Sequence, residues 1–545
     1  MPDNQFSRRQ IIQSALALVP GAGLNWNTLP AARSTPSGPD QFDAVIIGAG
    51  LGGLSCGFAF ARQGFKTLIL EKHDKPGGYA TTFRRPGGFV FDVSLHSTTV
   101  GERDGVRNLI PGFPEISDVE FVPHRTLYRA IFPDHDIRVP LRDLPSYIKT
   151  LTGLFPAEEV GIRALFAEMQ GVSDDIRKLS QATAKIEMSR FPVEFPHLVR
   201  SAGQTWGAMM DPHIKDARLR AIVSALWAYY GLPPSKLASF YYALPTLGYL
   251  EQGGYYPKGR SQKISDSLAA FITAHGGKVL LNTEVVKVLT KNGTAYGVRT
   301  ADGHEYTGRA VVANSNPHDL FHSLVEDDGR LKDYLARMDR WTPSLSSFQV
   351  FLGLKKDLVG AVGIPDTEIF CAPGYDPETE YVSALNAELT NPSVGVMLYD
   401  NLYPGYSPKG KNTLSIITVQ GYSHWEKYEA DYRQGHKAAY RAEKERIADI
   451  LIRRVEERLL PGLSKAIEIR EIGTPLTNLR YTGNYRGSIY GWDQTLDNSG
   501  MRRMAQTTPI PNLYLASAWT RPGGGYGGVL MSGIDCFKEA TKTWS

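Results

Sequence analysis

The stretch that most restricts the fold is Phe42-Asp43-Ala44-Val45-Ile46-Ile47 running directly into Gly48-Ala49-Gly50-Leu51-Gly52-Gly53. A short β-branched apolar run reads as a buried parallel strand. The loop after it is G-x-G-x-x-G, and a helix-like stretch follows from Leu54 to Gln63, with Gly64 placed to end it. A second apolar strand, Lys66 to Leu70, ends in Glu71. Each piece has a physical task. Gly48 permits the tight turn, Gly50 lets the backbone approach a pyrophosphate, and Gly53 lets helix and strand pack closely. The helix N-terminus presents free N–H groups and a positive dipole end to the phosphates. Glu71, about twenty residues beyond the loop, can accept from both ribose hydroxyls and repels a 2′-phosphate. A glycine loop alone is a common turn; strand, loop, helix, strand and acid in this order specify a dinucleotide-binding unit. The motif by itself does not separate FAD from NAD.

The rest of the chain sets bounds. Its 545 residues are enough for about two or three domains with large cores. A net charge of +4 gives no reason to expect nucleic acid as a partner, and no uninterrupted apolar stretch is long enough to span a bilayer as a helix. Cys56, Cys371 and Cys536 are far apart, which argues against a redox disulfide or a zinc site. The first forty residues have a different character. Arg8-Arg9 precedes a mildly apolar run, Ala15 to Leu24, and then small residues, Pro30-Ala31-Ala32. That order resembles a twin-arginine export signal, so the expected location is the periplasm, with the cytoplasm as the alternative. The route carries folded proteins, which suits a chain that loads its cofactor before export.

The segment after Glu71 decides the cofactor. Pro76-Gly77-Gly78, Thr81-Thr82-Phe83, Gly88-Phe89-Val90-Phe91-Asp92 and His96 resemble the second signature of FAD enzymes of the amine-oxidase and phytoene-desaturase clan. In that clan the Gly77-Gly78 pair passes under the flavin side of the cofactor. Tyr79 departs from the pattern, standing where many relatives have arginine, and Ser94 replaces a frequent glycine. Gly253-Gly254-Tyr255-Tyr256-Pro257-Lys258-Gly259 leads into a helix, Ile264 to His275, and then strands carrying Thr283-Glu284-Val285. The resemblance implies that Val285 touches the adenine through its backbone. Asp302-Gly303 reads as a hairpin turn. Finally, Leu513 to Gly533, with Gly525, Gly528 and Val529, resembles the C-terminal FAD motif of carotenoid desaturases: strand, glycine loop, then a helix pointing at the flavin. Ser517 and Trp519 stand where that motif usually has glycine.

The expected fold is therefore α/β: a Rossmann-type FAD-binding domain built from discontinuous segments (41–124, 253–329 and 471–545), with a mixed α+β substrate domain (125–252 and 330–470) after a signal and linker (1–40). The first insert reads as helical and aromatic. Trp206, Trp227, Tyr229, Tyr230, Phe240, Tyr241, Tyr242 and Tyr249 fit either a groove for a long apolar substrate or ordinary core. The second insert carries strand-like runs at Ser344 to Leu354, Val394 to Tyr399 and Thr413 to Val419. An amphipathic helix with Ile447, Leu451, Val455 and Leu459 in register follows them. The charged face of that helix fits solvent or a peripheral membrane contact.

Phe91-Asp92-Val93-Ser94-Leu95-His96 looks like the retinol saturase form of its motif. Thr474-Pro475-Leu476-Thr477, Tyr481-Thr482-Gly483-Asn484 and Gly487-Ser488-Ile489-Tyr490-Gly491 resemble the isomerase and saturase branch. The resemblance implies redox chemistry or cis-trans isomerisation at carbon–carbon double bonds of a long apolar polyene or isoprenoid. With no second glycine fingerprint, an external electron acceptor or donor (oxygen, quinone or a reduced carrier) must reach the flavin directly. His96 is the candidate acid or base. A flavin amine or amino-acid oxidase, with Trp519 and Tyr526 in an aromatic cage, and a non-catalytic FAD-binding or apolar-ligand protein are the alternatives.

Overall fold

The structure is a computed structural model that describes residues 29–32, 36, 38–94, 97–99, 119–181, 189–326 and 329–544. The Arg8-Arg9 segment and His96 lie outside the described residues.

The nucleotide-type domain is labelled in chain order: β1 (Gln41–Ile47), α1 (Leu51–Arg62), β2 (Thr67–Leu70), α2 (Ser261–Ala274), β3 (Lys278–Leu280), β4 (Val285–Lys291), β5 (Thr294–Thr300), β6 (Glu305–Ala313), β7 (Leu513–Leu515) and α3 (Tyr526–Thr541). β1 lies in the middle, parallel to β2 on one side and to β6 on the other. β3 extends the sheet beside β2. β6 is shared along its length: its first half pairs antiparallel with β5, and its last residues, Val311 to Ala313, pair parallel with β7. The register aligns the strand ends. Ile47 sits opposite both Leu70 and Ala313, and Ala313 sits opposite Leu515. The residues after these ends, Gly48, Glu71, Asn314 and Ala516, therefore gather along one carboxyl edge of the sheet, where open α/β sheets bind ligands.

β1 is buried from Phe42 to Ile47, as a parallel strand covered on both faces must be. One face is covered by α1, α2 and α3, with Phe58, Phe60, Phe271, Ile272 and Phe537 in a continuous core. Small residues let these helices approach: a Cβ on Gly533 of α3 would stand 2.4 Å from Gly52 O.

The second domain is built on a seven-stranded sheet. Its order is Ile467–Gly473, Ser346–Leu354, Asn412–Gln420, Val394–Met397, Glu368–Cys371, Thr126–Ile131 and Asp136–Pro140. The helical reading of the first insert is corrected at its start: it opens with the hairpin Thr126–Pro140, whose first strand docks parallel onto Glu368–Cys371. Those two strands are short and half polar, and the first of them pairs with a strand more than two hundred positions away. Helices follow, including Glu159–Gln181 and Ser239–Gln252. The helix Ala438–Arg458 buries Ile447, Leu451 and Val455 against the sheet. Strand Ile467–Gly473 runs across the boundary expected at 470.

Candidate active site

At the carboxyl edge of the first sheet a cavity of about 1470 Å³ opens and continues into the second domain. Gly48, Gly50, Glu71, Gly77, Gly78, Val285, Gly525, Gly528 and Val529 all line it. Gly53 does not. It lies inside the helix–strand contact, where a Cβ would come within 2.2 Å of Gly48 O.

The cradle is built by mutual packing of glycines. Gly48 has a φ of +90°, which L side chains rarely adopt. Gly77 bridges to Gly50 in a parallel pairing, its N–H donating to Ala49 O at 2.7 Å. The two glycine signatures, separated in sequence, are thus one surface. Glu71 is buried and its carboxylate is fixed from behind: Oε2 accepts from Ala49 N at 2.7 Å and Oε1 from His73 N at 3.0 Å. Asn314, which no sequence motif singled out, ties the edge together. With its amide assigned so that both ends are satisfied, its side-chain oxygen accepts from Gly50 N at 2.9 Å and its nitrogen donates to Ala516 O at 2.7 Å.

The C-terminal loop completes the other end. Ser517 N donates to Ser532 Oγ at 3.0 Å, and Thr520 and Ser532 share a hydroxyl contact at 2.7 Å. Gly525 caps α3 with a φ of +84°, and nothing stands within 4 Å of where its Cβ would be. The first turn of α3, which holds no acidic side chain, therefore offers its N–H groups and dipole end to the cavity. Trp519 occupies the position expected as glycine and is fully buried. Its indole N–H donates to Asn484 Oδ1 at 3.0 Å, and Trp492 packs against it edge-on. Tyr79, another departure, points its hydroxyl toward Ser488 O at 3.4 Å. Both substitutions thus anchor the 482–488 segment to the cofactor loops.

The buried Arg503 holds this end of the cavity in shape. Its guanidinium donates to the carbonyl oxygens of Thr520 (3.0 Å), Trp492 (3.0 Å), Asn498 (3.4 Å), Ala518 (2.6 Å) and Tyr490 (3.4 Å). Tyr241 adds a tether, its hydroxyl donating to Gly524 O at 3.0 Å.

Beyond the glycine loops the cavity wall carries Tyr229, Tyr230, Phe240, Tyr241, Leu244 and Tyr249 from the first insert and Ile417, Ile489 and Tyr490 opposite, with Arg177, Gln252 and Gln349 among its polar residues. The aromatic residues singled out in sequence therefore divide. Trp206 and Tyr242 stack on each other in the core at 4.5 Å. Trp227 faces a small separate pocket of about 80 Å³.

The described residues fit FAD. They supply a cradle of glycines packed too closely at Gly48, Gly50 and Gly77 to take a Cβ, a buried acid beside it, and a helix N-terminus opening on the same space. Residues 51–536 match the family described as flavin containing amine oxidoreductase. The chain belongs to that family. Its cofactor is FAD. Relatives include prolycopene isomerase 1 of an Oncidium hybrid cultivar, 28% identical over 540 residues and covering 96% of this chain and 86% of the relative. All-trans-retinol 13,14-reductase of Macaca fascicularis is 26% identical over 521 residues, covering 89% and 83%. Among solved structures, an oxidoreductase from Methanosarcina mazei superposes with a TM-score of 0.60 at 17% identity, covering 90% of this chain and 99% of that one; at that identity the likeness is one of fold.

Proposed function

We propose that this flavoprotein performs redox chemistry or cis-trans isomerisation at carbon–carbon double bonds of a long apolar polyene. The observation that carries this reading is the cavity itself. Its volume of about 1470 Å³, which includes the space the cofactor fills, exceeds the roughly 300–1,000 Å³ of a pocket for one drug-sized ligand, and past the cofactor loops aromatic and aliphatic side chains form much of its wall. The similarity to proteins named prolycopene isomerase and all-trans-retinol 13,14-reductase supports it.

In this reading Gly48 and Gly50 hold the pyrophosphate of the cofactor, Gly77 and Gly78 pass under its flavin side, and Glu71 holds a ribose. Val285 borders the adenine, and Gly525, Gly528 and Val529 present the start of α3 to the flavin. FAD, when bound, supplies two-electron chemistry that no side chain can provide. The protein's own residues shape the space, exclude water and orient the alkene. An acceptor or donor such as oxygen, a quinone or a reduced carrier exchanges electrons with the cofactor. Export through the twin-arginine route belongs to the same proposal, and flavin-loaded protein in a periplasmic fraction checks it.

Glu71→Gln keeps the shape but removes the charge that strengthens hydrogen bonds to ribose hydroxyls. A charge-assisted bond contributes about 1.5–3 kcal/mol, so the variant should bind FAD roughly tenfold to a hundredfold more weakly in a flavin titration of the apoprotein.

The deciding experiment is anaerobic. Polyene alcohols, carotenoids and amines are added in turn while the flavin spectrum is followed, and then the same polyenes are offered to the chemically reduced protein. Bleaching by a polyene, or saturated or isomerised product from the reduced form, is the expected result. Bleaching by an amine with no polyene product would replace this reading with that of an amine oxidase.

A further inference from the structure

Behind the aromatic wall lies a carboxyl group that the cofactor site does not use. Glu368 opens the strand Glu368–Cys371 and is 3% exposed. Its Oε2 accepts from the Tyr229 hydroxyl at 3.1 Å, and Tyr229 lines the cavity. Tyr399 and the backbone of Ser97 stand close enough to favour its charged form, while its Oε1 is buried without a hydrogen-bond partner. The titratable groups that feel it are tyrosines from three elements: Tyr229, Tyr249 and Tyr399. The cations nearest along the sheet, Arg129 and Arg138, are turned to Asp366 instead. The wall where Tyr229 stands also adjoins the cofactor loops. Tyr490 lines the same cavity and packs against both neighbours: a Cβ on Gly231 would lie 3.2 Å from its ring, and one on Gly524 would lie 2.9 Å from its Cα.

We propose that Tyr229 exchanges a proton with the substrate and that Glu368, bonded behind it, is the proton reservoir that reloads it. The inference rests on the polyene reading above. Tyr229 is the catalytic residue of this pair and Glu368 a positioning residue that acts through it. In the saturating direction FAD held in the glycine cradle and reduced by an external donor would supply the hydride to one alkene carbon. The other carbon receives a proton: a C–H bond forms as the Tyr229 O–H bond breaks, and the phenolate takes the carboxyl proton of Glu368. Solvent reprotonates Glu368. Desaturation runs the same transfers backwards, with Glu368 as the carboxylate that accepts the proton. Burial pushes the Glu368 carboxyl up to about 8, so it carries its proton at neutral pH and the donor is loaded.

The pH limb therefore reports direction. A saturating turnover falls as pH rises through about 8, and a desaturating one rises through it. Glu368→Gln should slow turnover by about a hundredfold or more, in the range a positioned acid or base contributes, and should abolish that limb. Tyr229→Phe should slow it similarly while the fold melts normally. A buried acid that only supports the sheet would leave the limb unmoved.

A second readout needs no turnover. The infrared carbonyl band of a protonated carboxyl should be present in the FAD-loaded protein at pH 7, absent in Glu368→Gln and shifted in Tyr229→Phe. Wild-type rate and an intact limb in Glu368→Gln would overturn the proposal, as would an ionised Glu368 at pH 7. Failure of the polyene reading is separate: wild-type protein would then turn over no polyene at all, while the infrared bands would still show whether the proton-bearing pair exists.

Discussion

Arg503→Met should produce a protein that cannot keep its C-terminal third folded around the cofactor. The guanidinium has five N–H donors, and the five carbonyl oxygens they meet belong to Tyr490, Trp492, Asn498, Ala518 and Thr520. Methionine fills similar space and satisfies none of them. A buried carbonyl left without a donor costs about 1–3 kcal/mol, so even if several recover partners the loss should exceed about 4 kcal/mol, the range reserved for breaking a buried network. Asp493 adds to it. Burial raises its carboxyl to about 8, and Arg503 is the first of the charges opposing that rise. Without Arg503 the group shifts further toward its neutral form. Urea unfolding of the variant and its flavin content after purification check the expectation. A stability within about 1 kcal/mol of wild type would show that the carbonyls find other donors.

Gly53→Ala should be nearly as damaging to cofactor binding, for a different reason. The added methyl would stand 2.2 Å from Gly48 O and 3.1 Å from Asn314 Cβ. Neither is the flexible end of a side chain, so the first glycine loop must move away from α1. Overpacking of this kind costs about 1–3 kcal/mol, and here the displaced backbone is the cradle itself. The purified variant should carry little or no FAD, and titration with added FAD should give an affinity weakened on the order of a hundredfold. Full flavin occupancy in the purified variant would contradict the close-packing role assigned to Gly53.

How much of the molecule is legible in its sequence depends on the range of the interactions involved. The strand, loop, helix, strand unit from Gln41 to Glu71 is local: β-branched runs, glycines at fixed spacing and a terminal acid each act on their neighbours, and the elements stand where those signals place them. The helix does begin earlier than its apolar pattern suggests, at Leu51 rather than Leu54, because the last glycines of the loop already belong to its first turn. The hairpin Asp302-Gly303 is equally local. Asn314 and Arg503 are invisible for the opposite reason. Each is an ordinary polar residue until its partners are known, and those partners lie on loops joined only by the fold. The same holds for Glu368, which sits in a short strand that carries no sequence mark. The aromatic residues of the first insert show a further limit. Periodicity tells which face of a helix is buried, but not whether that face meets another chain segment or an enclosed space. Tyr241 and Tyr242 are adjacent in sequence, yet the first lines the cavity and the second stacks in the core.

The divided pairing of β6 has a consequence for how the protein is made. Its last residues wait for β7, and Ser55 Oγ donates to Leu530 O at 2.7 Å across 475 positions of chain. During synthesis the glycine loop and Glu71 emerge early, while the strand and helix that close the cavity beside them emerge hundreds of residues later. Contacts of such separation form late, so a nascent chain displays half a cradle throughout most of its elongation. Flavin loading is thus a step that comes after translation of the 513–541 segment, and ribosome-bound chains halted before it should retain no cofactor.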